Sequence, residues 1–530
     1  MKKAFCILLF CAASFAAFAI PAKRGAIVRT AADGSQRAVY LHGNEWFHYM
    51  TDTEGQWLDE SSLLPLSAEA KEARLANAKT IQARRVRQQR DAIGKRNLAP
   101  RGLIILVNFS DRQFVTPMDT IHDLINGEHF ERHYDYDYDY IRDGQTYHYA
   151  GHVDAYGSAR QYFIDQSWGQ YQPIFDVIGP VDLDSASTFY GRGGNYENIH
   201  FMVEEACRLA DAQGADFTQY DNNNDGKVDF VYFLFAGFGS ADSGVEDYIW
   251  PHNWDLSAAG GSCTVDGKSI RNYACSNELQ YGSEAYTGIG TFCHEFGHVL
   301  GLPDFYPTVE LPWGTPHTLN DWDIMDYGCY NNEGNTPPAY SSYERFFMGW
   351  LTPRVLSGPE EVSLGKMNAD TLALMLCDGD AHNLDGENPN PATFYLLENR
   401  DKSGWDAYLP GEGLLITKVQ YDAGKWQNNS VNIQSSSMGV DIIEAVENDT
   451  DWGAETDTYP AGATAFTEFS GHELTDIAKD EQGIITFHYS GTQGVESVQP
   501  SAVSIQKVLR DGRVVIIRNG QEYDLDGKRL

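Results

Sequence analysis

Residues 291–306 read TFCHEFGHVLGLPDFY and hold His294, Glu295, His298, Gly301 and Asp304 at the spacing of a catalytic zinc site. On a helix, residues four apart share a face, so His294 and His298 can present two imidazoles to one ion while Glu295, beside them, points toward water. Gly301 falls where the chain must leave the helix, a position suited to a residue that tolerates positive φ, and Asp304 then returns toward the metal as a third ligand. Three protein ligands leave a fourth position for water, whose pKa zinc lowers to about 7. Glu295 can take its proton during attack on a carbonyl, which is the chemistry of peptide-bond hydrolysis. A purely structural zinc site would be closed by a fourth protein ligand, and nothing nearby obviously supplies one.

Residues 323–328 read DIMDYG, and a methionine in a turn shortly after an extended zinc motif is the second signature of the metzincin peptidases. Met325 is expected as a hydrophobic floor beneath the metal. Tyr327 resembles the tyrosine that in astacin-like and serralysin-like metzincins reaches the zinc or donates to the tetrahedral oxyanion. The alternative is a turn with a buried methionine and an ordinary core tyrosine.

The chain here resembles the bacterial immune inhibitor A (M6) metallopeptidases, a metzincin group whose zinc motif ends in Leu-Gly-Leu-Pro-Asp, as at residues 300–304. The resemblance runs through PRGLIILVNFSD (100–111), GSARQYFIDQSWGQYQPIFDVIGPV (157–181), DNNNDGKVDF (221–230) and LPGEGLLITKV (409–419), so it covers roughly residues 100 to 490. The main departure is the run before Gly157. The resemblance implies a secreted zinc endopeptidase acting on protein or peptide substrates, with a propeptide removed by a maturation protease.

Asp221, Asn223, Asp225, Gly226 and Asp229 match positions one, three, five, six and nine of an EF-hand-type calcium loop, with the Lys227 carbonyl available at seven. Position twelve is Tyr232 rather than glutamate, and residues 230–235 are strand-like. Ca2+ bound here is therefore expected to be structural and to borrow a ligand from elsewhere. The alternative is a polar Asx-rich turn.

Those sites need elements to hold them. The fold class expected is α+β: a metzincin-like zinc peptidase domain at 101–355 including the calcium loop, an N-terminal propeptide at 20–100 and a C-terminal β-sandwich at 356–490. Residues 103–107, LIILV, suit a buried central strand. Between residues 133 and 149 tyrosine alternates with aspartate, predicting a hairpin around Asp143 and Gly144 with one aromatic and one acidic face, either an exposed surface feature or the wall of a groove. Residues 38–43 and 46–49 read as short strands and residues 68–96 as a charged helical stretch ending in cleavable basic residues. No cysteine lies between residues 20 and 100, so latency through a thiolate is excluded, and a carboxylate or a steric block is expected in its place.

With 530 residues, 42% of them hydrophobic and 13% aromatic, the chain can pack several cores. A net charge of -36 argues against nucleic-acid binding. Residues 1–19 have the basic start, apolar run and small residues of a signal peptide, with cleavage expected after Ala19. No other stretch is long and apolar enough to span a membrane. The expected product is a monomer, secreted or on the outer cell surface. Residues 491–530 form a linker and a short strand-rich tail that resembles the sorting domain read by the type IX secretion machinery, or else a small module completing the preceding domain.

Cys207, Cys263, Cys275, Cys293, Cys329 and Cys377 remain after signal removal, and six cysteines allow fifteen pairings. The pairing expected is Cys263 with Cys275, flanking a hairpin at 265–268; free buried thiols are the alternative. Other functions weighed are a surface adhesion or polymer-binding protein on a peptidase fold, and a zinc amidase acting on cell-wall peptides.

Overall fold

The computed structural model of the chain describes residues 18–31, 33–44, 47–83, 99–128, 130–142, 145–191, 198–282, 285–308, 318–379, 381–447, 453–491, 505–510, 513–518 and 521–523. The expected signal residues 1–17 and the basic stretch 84–98 lie outside them. Among the described residues, no helix is long and apolar enough to cross a membrane.

The aliphatic run Leu103, Ile104, Ile105, Leu106 and Val107 is buried at every position within the strand Arg101–Asn108. Such uninterrupted burial is what a parallel sheet covered on both faces requires. This strand is flanked in parallel by Val231–Phe235 and Ile174–Asp182, and Asn272–Asn277 continues the sheet in parallel beyond Val231–Phe235. The far edge turns antiparallel with His252–Asp255, onto which Phe18–Ala19 adds. The unit built on this sheet is thus mixed α/β, and the sheet is mostly parallel.

The helix Gly290–Val299 is oriented by its phenylalanines. Phe292 and Phe296, one turn apart, pack edge-on against Phe175 and Phe230 from the sheet side. Positions 294 and 298 are offset by two residues, roughly half a turn, and therefore face away from the sheet.

The N-terminal segment forms a four-stranded antiparallel sheet from Ala26–Thr30, Gln36–Asn44, Phe47–Thr51 and Trp57–Leu58, followed by the helix Ala68–Ala83. After residue 355 a five-stranded sheet forms, with Leu374–Leu376, Thr393–Arg400 and Gly413–Gln420 at its centre. Its side chains divide with period two. Met375, Phe394, Leu396 and Leu415 join the core shared with the central sheet, whereas Leu374, Leu376, Leu397, Leu414 and Ile416 join a second core. Val362, Leu474, Ile485 and Phe487 of a three-stranded sheet complete that second core. Burial on both faces is why Leu414, Leu415 and Ile416 follow one another in the strand Gly413–Gln420.

Two local expectations are met and one is corrected. Cys263–Val265 and Lys268–Ile270 form the expected hairpin, with Asp266 and Gly267 at φ 51° and 74°, the left-handed pair a type I′ turn needs. The ribbon Arg132–Arg142 with Gln145–Ala155 is also formed, its tip at 143–144 lying outside the described residues. Cys263 and Cys275, however, are not bonded, and all six cysteines named above are buried free thiols. Cys275 sits on the central sheet opposite Phe233 and His252, so its side chain belongs to that core, while the thiol adjoining Cys263 is Cys207. In the tail, Ile505–Arg510, Arg513–Arg518 and Gln521–Tyr523 form an antiparallel sheet; the last expected strand falls mostly on residues 524–529, outside those described.

Candidate metal centre

His294, Glu295 and His298 all lie on Gly290–Val299 and are buried. The helix ends at Leu300, Gly301 takes φ 100°, and the chain turns back so that Asp304 faces both histidines. Nε2 of His294 is 3.1 Å and Nε2 of His298 is 3.2 Å from the same Asp304 oxygen, Oδ1. In a tetrahedral zinc site with bonds of about 2.0–2.1 Å, neighbouring ligand atoms stand about 3.3 Å apart. Both distances to Asp304 match that spacing, and these three residues could hold a divalent ion such as zinc.

The outward nitrogens fix the tautomers. His294 donates from Nδ1 to the Ile324 carbonyl at 2.7 Å, and His298 donates from Nδ1 to the Leu302 carbonyl at 2.9 Å. Both Nε2 lone pairs are left facing the metal position, the arrangement that ligating histidines need. Burial pushes the His298 imidazole down to about 4, keeping it neutral. Burial of Asp304 works to raise its pKa, but the neighbouring His298 and His294 outweigh it and hold the carboxyl well below the usual range.

Asp304 is clamped by a residue that the motif does not contain. Its backbone N–H donates to Asn429 Oδ1 at 2.8 Å, and Asn429 Nδ2 donates to Asp304 Oδ2. Thr308 Oγ1 bonds the Asn429 carbonyl and Asn432 Nδ2 bonds the Phe305 carbonyl, so the loop from the C-terminal unit braces the whole return segment. Asn429 is 125 residues from Asp304 and sits in no recognisable pattern, so sequence reading missed it.

The turn after the motif packs against the helix. Met325 is fully buried, and its carbonyl accepts from Phe305 N–H at 2.8 Å. A Cβ on Gly297 would stand 2.7 Å from Met325 Sδ, so the glycine inside the zinc motif is what lets the methionine lie against the helix. Tyr327 opens the next turn. Its ring centroid is 6.5 Å from that of Tyr306, which is 6.5 Å from that of His294.

Residues Lys23 and Arg24 reach the same region. The Arg24 guanidinium lies 3.4 Å over the Tyr327 ring, donates to Asn320 Oδ1 at 2.7 Å and stands 3.6 Å from Asp321. Lys23 pairs with Glu333 at 2.6 Å. The group brought beside Tyr327 is thus a guanidinium.

The acidic loop forms a second cluster, 221–229, in which Asp221, Asp225 and Asp229 could share an ion. Asp221 accepts from the N–H groups of Asp225 and Gly226, and Asn223 Oδ1 also accepts from Asp225 N–H. Lys227 enters a short strand pairing with Lys268–Ile270, and Tyr232 lies in the buried strand Val231–Phe235, so position twelve is unavailable as a ligand. Lys268 Nζ is 2.7 Å from Asp221, and Lys227 Nζ is 3.0 Å from Asp225. Burial raises the pKa of Asp229, whose Oδ2 accepts from Asn222 N–H.

Two imidazoles and a carboxylate converge beside a helical glutamate on a mixed sheet, a donor set that could hold a divalent metal ion. Residues 89–351 match the family described as "Immune inhibitor A peptidase M6, catalytic domain". It is 26% identical over 217 residues to "Immune inhibitor A" of Bacillus thuringiensis subsp. alesti, covering 36% of this chain and 31% of that protein. It is 28% identical over 218 residues to "Pre-pro-metalloprotease PrtV" of Vibrio cholerae serotype O1 (strain M66-2), covering 36% of this chain and 23% of that protein. The chain thus spans a third or less of the length of these curated relatives.

Proposed function

We propose that this chain is a secreted zinc-dependent endopeptidase of metzincin type, with His294, His298 and Asp304 as ligands and Glu295 as general base. The observation that carries the reading is the convergence of His294 Nε2 and His298 Nε2 on one Asp304 oxygen, both rings locked by Nδ1–H bonds to backbone carbonyls. Zinc, when bound, supplies a Lewis acid that polarises a peptide carbonyl and acidifies water. Glu295, buried next to His294, takes the proton of the attacking water and passes it to the leaving amine. Tyr327, once freed of Arg24, donates its phenolic hydrogen to the developing oxyanion.

Residues 20–100 act as a propeptide in this reading, supported by Arg24 stacked on Tyr327 and Lys23 on Glu333. The loop at 221–229 takes a structural calcium through Asp221, Asn223, Asp225, Asp229 and the Lys227 carbonyl, with both lysines displaced from the carboxylates. The two packed sheets after residue 355 form a β-sandwich whose first duty is to brace Asp304. The tail at 491–530 serves as a secretion signal.

The deciding experiment is casein cleavage by the processed protein beside Glu295→Gln, with zinc quantified in both. About one catalytic zinc with activity only in the parent is expected. Retained cleavage by Glu295→Gln would remove the general-base assignment, and zinc without cleavage in either protein would favour a binding protein on a peptidase fold.

A further inference from the structure

The ribbon Arg132–Arg142 with Gln145–Ala155 has two unlike faces. Its inward tyrosines are tied to the peptidase unit: Asn335 Nδ2 donates to the Tyr134 hydroxyl at 3.3 Å, and the Tyr136 hydroxyl donates to Glu333 at 3.1 Å. The outward face carries His133 opposite Asp154 and Asp135 opposite His152, a two-by-two block in direct cross-strand register. Alternation with period two puts all four on one side of the ribbon.

We propose that His133, His152 and Asp154 form a second site for a divalent transition ion of the zinc class, with Asp135 positioning His152. His133 Nδ1 stands 2.5 Å and His152 Nε2 2.9 Å from the same Asp154 oxygen, so two ring nitrogens meet one carboxylate oxygen. The other nitrogen of His152, Nδ1, lies 2.6 Å from Asp135. A proton kept there by Asp135 frees Nε2 to give its lone pair to an ion that takes the place of the proton it shares with Asp154, the carboxylate–histidine relation that orients metal-ligating imidazoles. The rings of His133 and His152 are nearly coplanar in direction, 11° apart, with centroids at 6.4 Å. The three ligand atoms lie within 4.8 Å of one another.

The backbone of this site is fixed before any ion arrives. The Asp154 carbonyl accepts from Asn332 Nδ2 at 2.7 Å and Thr336 Oγ1 at 2.8 Å, and the flanking Val153 and Ala155 are buried. The ligand side chains themselves remain 49–59% exposed, leaving room for water to complete the coordination. Two imidazole nitrogens with one carboxylate select zinc-like ions over calcium or magnesium, which prefer oxygen alone. The site is separate from the buried centre on Gly290–Val299 and uses none of its residues.

The test is titration of the chelator-stripped full chain with Zn2+ alone, followed calorimetrically and by metal content after gel filtration. Two equivalents are expected for the parent and one fewer for His133→Ala/His152→Ala, with casein cleavage by the processed form of each retained. Asp154→Asn, which keeps side-chain shape and the carbonyl's bonds, should also lose the second equivalent. Asp135→Asn should keep the stoichiometry while weakening the second site about 10- to 100-fold. Millimolar Ca2+ should not displace the bound zinc. An unchanged zinc count in the double-alanine and Asp154→Asn proteins would overturn the proposal. So would a parent that binds a single equivalent and cleaves casein, a result that leaves the catalytic reading standing.

Discussion

At the scale of single residues, the proposed metal centre is held in place by groups outside its donor set. Asn429 holds Asp304 from both sides, and outer contacts of this kind are typically worth 10- to 100-fold in metal affinity. Asn429→Ala should therefore weaken zinc binding by about that factor while the fold survives, measured by competition with a chromogenic chelator. An affinity equal to the parent's would mean that the backbone alone positions Asp304. His252 shows the cost of burying an imidazole in the sheet edge. Burial lowers it to about 4, against 6.5 as the ordinary value, while it contacts the Trp250 carbonyl and the Tyr273 hydroxyl. Between these two values the unfolded chain binds the extra proton, so this contribution to stability is complete above pH 6.5 and is lost as the pH falls toward 4. From pH 7 to pH 5 the loss should be about 2 kcal/mol, and His252→Gln should lack it in denaturant titrations at the two pH values. Parallel losses in both proteins would place the acid sensitivity elsewhere.

Among elements, the helix Gly290–Val299 succeeds by dividing its faces. Phe292 and Phe296 go to the core, His294 and His298 to the metal side, and Gly297 admits Met325. The acidic loop is less settled in its occupant, because Lys268 and Lys227 already lie on Asp221 and Asp225. Calcium must displace both ammonium groups, so the affinity expected is that of a structural extracellular site in the range of about 10⁻⁴–10⁻³ M. Thermal unfolding with increasing CaCl2 should show a rising midpoint in the parent and none in Asp221→Ala. A ligand at 100 times its dissociation constant adds about 2.7 kcal/mol, which such a scan resolves. A midpoint indifferent to calcium in the parent would identify the loop as an Asx-rich turn stapled by lysines.

Across the whole molecule, the N-terminal and C-terminal parts both bear on the centre. Arg24 covers Tyr327, and a stacked guanidinium is worth about 1 kcal/mol, roughly a fivefold effect. In the unprocessed chain Arg24→Ala should raise casein cleavage by about that factor, and cutting within the basic stretch before residue 99 should raise it further. If Arg24→Ala leaves the unprocessed rate unchanged, the contact is structural. At the other end, Phe394, Leu396 and Leu415 belong to the same core as the peptidase residues, so the sheet after residue 355 is part of what keeps the centre assembled.

The clustering of His294, His298 and Asp304, the turn at Met325, the buried strand at 103–107 and the two-faced ribbon were all legible in the sequence, because each depends on spacing within one helix, strand or turn. Local periodicity fixes which side chains share a face, and one glycine at φ 100° suffices to turn Asp304 back. What joins residues far apart in the chain was not legible. Cys275 could not be assigned to the sheet core rather than to a bond with Cys263, nor Asn429 to Asp304, nor Arg24 to Tyr327. Each of those contacts depends on how separate elements pack, and packing is decided by burial summed over the molecule, for which no short pattern is a record. The His133, His152 and Asp154 cluster lies between these cases: alternation made the polar face visible, but only the cross-strand register set two imidazoles against one carboxylate oxygen.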